Sequence, residues 1–340
     1  MRVRGDFYKG VIGGHRLARG CELCYPGAKA VVFVSGACDD SCFYCPVSRA
    51  RLYSEVMFVN EEPVSTVGEV VIEVLRMGAR GASITGGDPL AALDRTVAVV
   101  GALKEGLGQA FHIHLYTTGR QASIDSLRVL ARVGLDEIRF HPVNVKFLKA
   151  VEKAKSVGLE VGVEIPIAPG LEEWAIRVIS EAYSRGASFV NLNEMEFVEP
   201  NAENLLARGY RESRLRPFTV EGALEAAMKV LEWAGENSKI PVHFCPAPFK
   251  DSIQTRNRFK RLAKLDRAWY EHPTRDGTLI WGELRGATHE IGEECGPAST
   301  CTPPDTVMLK QLASRYGAKA YIVEALPTRS RVPVSLQEIF

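Results

Sequence analysis

The sequence predicts an α/β protein: a partial or complete parallel (βα) barrel with an amino-terminal extension and a carboxy-terminal α+β cap. Short β-branched runs alternate with stretches of helical period from residue 29 to 194. Gly or Pro marks nearly every junction, and no repeat of about 20–50 residues competes with this reading.

Strands are expected at 29–35, 81–85, 111–117, 136–141, 159–165 and 187–193, each a short run containing β-branched or other large apolar residues. Helices are expected between them at 66–77, 93–105, 123–133, 145–156 and 171–185. Most are followed within two residues by a glycine (Gly78, Gly106, Gly134, Gly158 and Gly186), which suits a helix end. Five helical crossovers joining six strands give parallel order and right-handed connections, so polar side chains at the strand carboxyl ends should line one mouth. Residues 195–216 read as an irregular charged excursion holding Pro200 and Asn201. A helix at 220–236 and a strand at 240–244 could then complete the barrel. Beyond Pro246 come a basic helix with the run 257–264, a Gly-turned hairpin at 276–284, a Gly/Pro/Thr-rich loop at 292–305, and a last helix and strand. The expected division is 1–28 as extension, 29–245 as barrel and 246–340 as cap.

A chain of 340 residues that is 46% apolar can bury a large core. Its 42 basic and 41 acidic residues leave a net charge of +1, which excludes a general pull toward nucleic acid or acidic membrane. No apolar run is long enough to span a bilayer, and the amino terminus has no secretory signal, so the expected location is cytoplasmic and no membrane partner is expected. Eight cysteines are too few for a disulfide scaffold, and their clustering points to metal ligation.

Cys38, Cys42 and Cys45 follow the first strand with three and then two residues between them. Three thiolates on one loop suit a four-iron cluster whose fourth iron stays open to a non-protein ligand. A structural zinc site is the alternative, although zinc more often pairs cysteines as C-x-x-C. Cys-x3-Cys-x2-Cys with Tyr44 before the last cysteine resembles the signature of the radical S-adenosylmethionine (SAM) superfamily. The resemblance implies a barrel of the radical SAM type, with a 4Fe-4S cluster on these cysteines and SAM on the open iron. An electron from a flavodoxin- or ferredoxin-like donor would split SAM into methionine and a 5'-deoxyadenosyl radical. It also puts Tyr44 near the adenine. One βα unit later, Gly86, Gly87, Asp88 and Pro89 resemble the family's Gly-Gly-Glu-Pro segment, which receives SAM's amino group; Asp88 departs from the usual Glu. Two glycines there let backbone approach a ligand closely. Among the polar residues at later strand ends, which include Thr117, Thr118, Arg139, Asn191 and Glu194, the resemblance singles out His141, Glu164 and Asn193 as SAM or substrate contacts.

Cys21 and Cys24 form a C-x-x-C pair ahead of the barrel, and Cys245 closes the strand at 240–244. An auxiliary iron-sulfur cluster or zinc site on these three is expected, with His243, Cys295 or Cys301 as a fourth ligand. Against it, Cys245 should emerge at the mouth and Cys24 at the opposite end, so the extension would have to fold over. Free thiols with a Cys295–Cys301 disulfide are the competing reading. The basic run 257–264 reads as a solvated helix, with RNA contact the lesser reading.

The whole chain resembles an archaeal-type branch of the superfamily related to the activating enzyme of pyruvate formate-lyase. That implies hydrogen abstraction by the radical, and leaves glycyl-radical activation of a protein, metabolite modification and RNA modification as open outcomes. The alternative from another class is a non-enzymatic interaction module stabilised by zinc.

Overall fold

The computed structural model of the chain describes residues 17–286, 292–296 and 298–340. The larger part of the expected extension, 1–16, lies outside the described residues. The chain divides into two compact units, residues 1–74 with 79–254 and residues 75–78 with 255–340.

In the first unit, helix α1 (Arg19–Cys24) precedes strand β1 (Lys29–Phe33). A hairpin of β2 (Met57–Val59) and β3 (Glu62–Val64) follows, pairing antiparallel with β1. The alternation then proceeds as α2 (Val67–Arg76), β4 (Gly81–Thr85), α3 (Leu93–Leu107), β5 (His112–Thr117), α4 (Ile124–Arg132), β6 (Glu137–Phe140), α5 (Lys149–Ser156), β7 (Glu160–Ile167), α6 (Glu172–Ser184) and β8 (Phe189–Glu194). After α7 (Glu199–Leu206) and α8 (Ala223–Asn237), β9 (Val242–Cys245) adds a seventh parallel strand, and a short α9 (Ala247–Phe249) follows. The sheet order is β3-β2-β1-β4-β5-β6-β7-β8-β9, all parallel from β1 to β9.

The expected α/β barrel is therefore present, and it is partial: among the described residues the two edges of the sheet do not pair. Its curvature shows in one lumen cavity of about 220 Å³ bordered by all seven parallel strands, from Val31 of β1 through Arg139 of β6 to Cys245 of β9. Strands buried on both faces explain the continuous apolar runs; seven of the eight residues of β7 are buried.

Three expectations for the chain need correcting. The excursion at 195–216 contains α7, which Pro200 opens instead of breaking, because a proline in the first helical turn sacrifices no intrahelical hydrogen bond. The stretch at 292–305 is not a loop throughout: it holds β12 (Glu293–Gly296) and β13 (Ser299–Thr302), once β10 (His272–Pro273) and β11 (Leu279–Arg285) have begun a second sheet. That sheet, in the second unit, gains β14 (Lys319–Ala325) and β15 (Pro333–Glu338) after helix α11 (Thr306–Tyr316), giving the order β12-β13-β11-β14-β15 with β10 beside β11. Leu309 and Ala313 of α11 pack on Leu284 and Ala320 beneath it. Third, the basic run is not fully solvated. In α10 (Arg256–Leu265), Arg258, Leu262 and Ala263 are buried, and Arg261 donates to the carbonyls of Met77 and Gly78, which end the α2 segment. Two of the charges that suggested RNA are thus used inside this unit.

Candidate active site

The carboxyl ends of β1 and β4 are joined beyond the strands themselves. Val34 N–H donates to Thr85 O, Gly87 N–H to Ser35 O and Asp88 N–H to Ala37 O, at 2.7–2.9 Å. The two backbones run so close that a Cβ on Gly86 would stand 2.4 Å from Ser35 O, and one on Gly87 2.3 Å from Ala37 O. Here the glycines are required by main-chain packing, whatever they hold. Their own carbonyls take no hydrogen bond from the described residues, so they remain able to accept from an ammonium group.

The loop carrying Cys38, Cys42 and Cys45 rises from this seam, with its three thiols half-buried. Cys45 N–H donates to Cys42 O at 3.1 Å, and Asp40 N–H points at Cys38 Sγ at 3.4 Å. The donor set fits a four-iron cluster: three soft ligands on one short loop, with a backbone N–H directed at a ligand sulfur, as such clusters favour. Burial pushes the Cys42 thiol up to about 11 and raises Cys38. A bound cation reverses that by holding the sulfur as thiolate. As the side chains stand, among the described residues no three thiol, imidazole or carboxylate groups converge to the spacing of a single ion, in this loop or elsewhere.

Side chains from three later elements hold the loop. Arg120, after β5, pairs with Asp40 and keeps its carboxyl below the usual range, while Gln121 donates to Asp39. Tyr44 OH and His141 Nε2 are 2.9 Å apart, and the Tyr44 ring meets the Phe43 ring edge-on with centroids 4.9 Å apart. Asn201 of α7, fully buried, donates to both Tyr44 O and Glu196 O at 3.0 Å and so ties α7 to the loop. That role was not legible beforehand, because Asn201 sits in a segment that reads as irregular. Beside Cys42 opens a cavity of about 410 Å³ walled by Phe43, Tyr44, Val143, Pro166, Leu171 and Trp174.

The other expected contacts lie elsewhere. The Asp88 carboxylate is taken up by its neighbours: one oxygen accepts from Leu90 N–H at 3.0 Å, the other from Thr117 Oγ1, Thr118 N–H and Thr118 Oγ1 at 3.0, 3.0 and 2.8 Å. It is 3% exposed and caps the short turn that begins at Pro89. Glu164 and Asn193 face the lumen, where Glu164 receives Arg139 at 2.9 Å, Asn191 at 2.9 Å and Asn193 at 2.8 Å. Burial opposes the charge on Glu164, but the Arg139 guanidinium and the two amides outweigh it and hold the carboxyl at about 2. Burial also lowers the His141 pKa below its usual value.

The amino-terminal segment does fold over. Helix α1 lies against β1, β4 and β5, with Gly20 so close to the strands that a Cβ would stand 2.5 Å from the His114 ring and 2.7 Å from Arg139 Nη2. Cys21, Cys24 and Cys245 consequently border the same lumen cavity, together with His243. Cys295 and Cys301 are joined as a disulfide in the second unit, which removes both as thiolate ligands. No helix of the described residues is long and apolar enough to cross a membrane.

Residues 32–144 match the model of the radical SAM superfamily. A protein of Methanocaldococcus jannaschii, whose name proposes it as a glycyl-radical enzyme activating enzyme, is 37% identical over 279 residues, covering 78% of this chain and 73% of that one. Among solved structures, Streptococcus suis SuiB bound to its precursor peptide SuiA aligns at 12% identity and a TM-score of 0.47, over 64% of this chain and 48% of its own. Methylornithine synthase aligns at 15% identity and 0.41, over 60% and 62%. The chain thus spans about half the length of SuiB.

Proposed function

The chain belongs to the radical SAM superfamily, an enzyme class whose cofactors are a 4Fe-4S cluster and SAM, and from that premise we propose that it activates a protein partner by abstracting hydrogen from a backbone glycine. The single observation that carries the radical chemistry is the half-buried cysteine loop fastened to the Gly86–Pro89 backbone at the carboxyl end of a parallel barrel. A structural zinc module would need no such seam. The protein substrate rests on the Methanocaldococcus jannaschii relative.

Cys38, Cys42 and Cys45 would hold the cluster. When bound, it supplies the electron that splits SAM into methionine and a 5'-deoxyadenosyl radical. The carbonyls of Gly86 and Gly87 would accept from SAM's amino group. The cavity beside Cys42 offers Tyr44 and Trp174 to a flat base such as adenine, and His141 fixes the Tyr44 ring by their hydrogen bond. Glu164 and Asn193 order the lumen wall through Arg139. Asp88 holds the seam, so the family's carboxylate position acts on the scaffold here. Residues 29–245 form the catalytic barrel in this reading, with 1–28 as extension and 246–340 as a separate cap. A flavodoxin- or ferredoxin-like donor in a reducing cytoplasm would supply the electron and keep the six free thiols reduced.

The test is 5'-deoxyadenosine formation by anaerobically reconstituted protein with a strong reductant, beside Cys42→Ala, followed by mixing with a glycyl-radical enzyme carrying α-deuterated glycine. Abstraction breaks the glycine C–D bond and forms one at the 5' carbon, so deuterium must appear in 5'-deoxyadenosine. Cleavage without deuterium transfer would retain the radical chemistry and turn the search to metabolites or RNA. No cleavage by cluster-loaded protein, with or without partner, would overturn the radical chemistry, and zinc in place of iron on the loop would favour the zinc module.

A further inference from the structure

Three cysteines have no part in the chemistry above, yet they border one cavity. Cys21 and Cys24 are three residues apart on α1, the spacing that sets two side chains on one helix face. Cys245 ends β9 in register with Asn193, whose side chain points inward to Glu164. In-register residues of adjacent parallel strands share a face, so Cys245 points inward as well. Cys21 Sγ lies 3.4 Å from Asn191 Nδ2, one pleat repeat below Asn193 on the same strand. That repeat is about 6.6 Å, and the next strand is about 4.8 Å away, so Cys21 and Cys245 approach one space from two sides. All three thiols border that space, the lumen cavity of about 220 Å³.

We propose that Cys21, Cys24 and Cys245 hold a second iron-sulfur cluster in the barrel lumen, separate from the one on the loop at 38–45. A lone zinc ion would draw its sulfurs to about 3.8 Å from one another and would fill no cavity, as follows from Zn–S bonds of about 2.3 Å in a tetrahedron. Thiols that instead border a cavity of this size suit a body of several atoms, such as a cube of iron and sulfide. Three thiolates leave one iron to His243, on the same face of β9 two residues earlier and bordering the cavity, or to a small ligand. Hydrogen bonding gives no rival reason for these thiols: Cys24 Sγ donates to Gly20 O at 3.3 Å and Cys21 Sγ accepts from Asn191 Nδ2 at 3.4 Å, bonds that serine would also make.

This site does not rest on the reading of the loop cysteines, and the two can fail separately. The full chain carrying Cys38→Ala, Cys42→Ala and Cys45→Ala would be reconstituted anaerobically with iron and sulfide. Its iron, sulfide and zinc would then be counted and an EPR spectrum recorded after reduction. The expected content is about four irons and four sulfides per chain, falling to background when Cys245→Ala is added. Wild type should hold about eight irons and Cys245→Ala alone about four, with the EPR change on adding SAM retained. Less than one iron in the loop variant, or one zinc and no iron, overturns the proposal. If the loop variant does not fold, equal iron in wild type and Cys245→Ala overturns it without that variant. A loop variant that keeps all the iron of wild type would sink the loop reading and leave this one standing.

Discussion

Replacing Asp88 separates a carboxylate that holds the seam from one that touches SAM. Asp88→Asn keeps the shape but turns one acceptor into a donor. The amide does best with its oxygen toward Thr117 and Thr118, where three donors converge, and its NH₂ toward Leu90 N–H. One buried donor is then orphaned, at a cost of about 2 kcal/mol. Asp88→Ala removes both acceptor oxygens and with them all four hydrogen bonds. The two threonine hydroxyls can rotate to other partners, but the N–H groups of Leu90 and Thr118 cannot, so the cost doubles to about 4 kcal/mol. Urea unfolding of metal-free protein, with hydrogen exchange at the β4 and β5 amides to report on this unit, should rank wild type above Asn above Ala. If both variants lie within about 0.5 kcal/mol of wild type while SAM affinity collapses, the carboxylate acts on the ligand and the reasoning here is wrong.

Tyr44→Phe deletes the hydrogen bond to His141 and should cost about 1 kcal/mol of stability and weaken SAM binding several-fold by calorimetry, with cluster content unchanged. Glu164 has a depressed pKa in the folded state, so its stabilisation is fully present above about pH 4.5 and is lost as pH falls through about 2. Glu164→Gln should therefore lower stability at pH 7 by about 3 kcal/mol, since Arg139 keeps one ion-pair partner, Glu137, among the described residues, and the deficit should shrink in acid melts below pH 4. Gly20→Ala forces a methyl against His114 and Arg139 and should destabilise by about 1–3 kcal/mol in chemical unfolding, with faster exchange of the α1 amides.

The barrel was legible because each parallel strand is buried on both faces and so reads as an apolar run. The expected strand at 81–85 agrees with β4 to the residue, and the others differ at their ends by a few residues. The hairpin of β2 and β3 escaped notice, since three-residue strands carry too little pattern. β12 and β13 escaped because their Glu, Thr and Ser residues resemble a loop. At the site, the thiols and glycines were legible from spacing, which is local. The work of Asp88 and Asn201 was not, because each binds partners 29 to 157 residues away that only the fold brings near. The overlap of α1 with the lumen was hidden for the same reason: it depends on Gly20 meeting His114, a contact no sequence period encodes.

The glycine seam between β1 and β4 has a thermodynamic corollary. Ser35 and Ala37 anchor the loop that carries the thiols, while Gly87 and Asp88 belong to the segment offered to SAM, and main-chain hydrogen bonds make the two one body. Whatever immobilises one stretch immobilises the other, so the entropy of ordering is lost once for two ligands. On the proposed reading, occupancy of the two positions is reciprocally coupled: filling the thiols would tighten the hold on SAM, and SAM would raise the affinity for the cluster by the same factor.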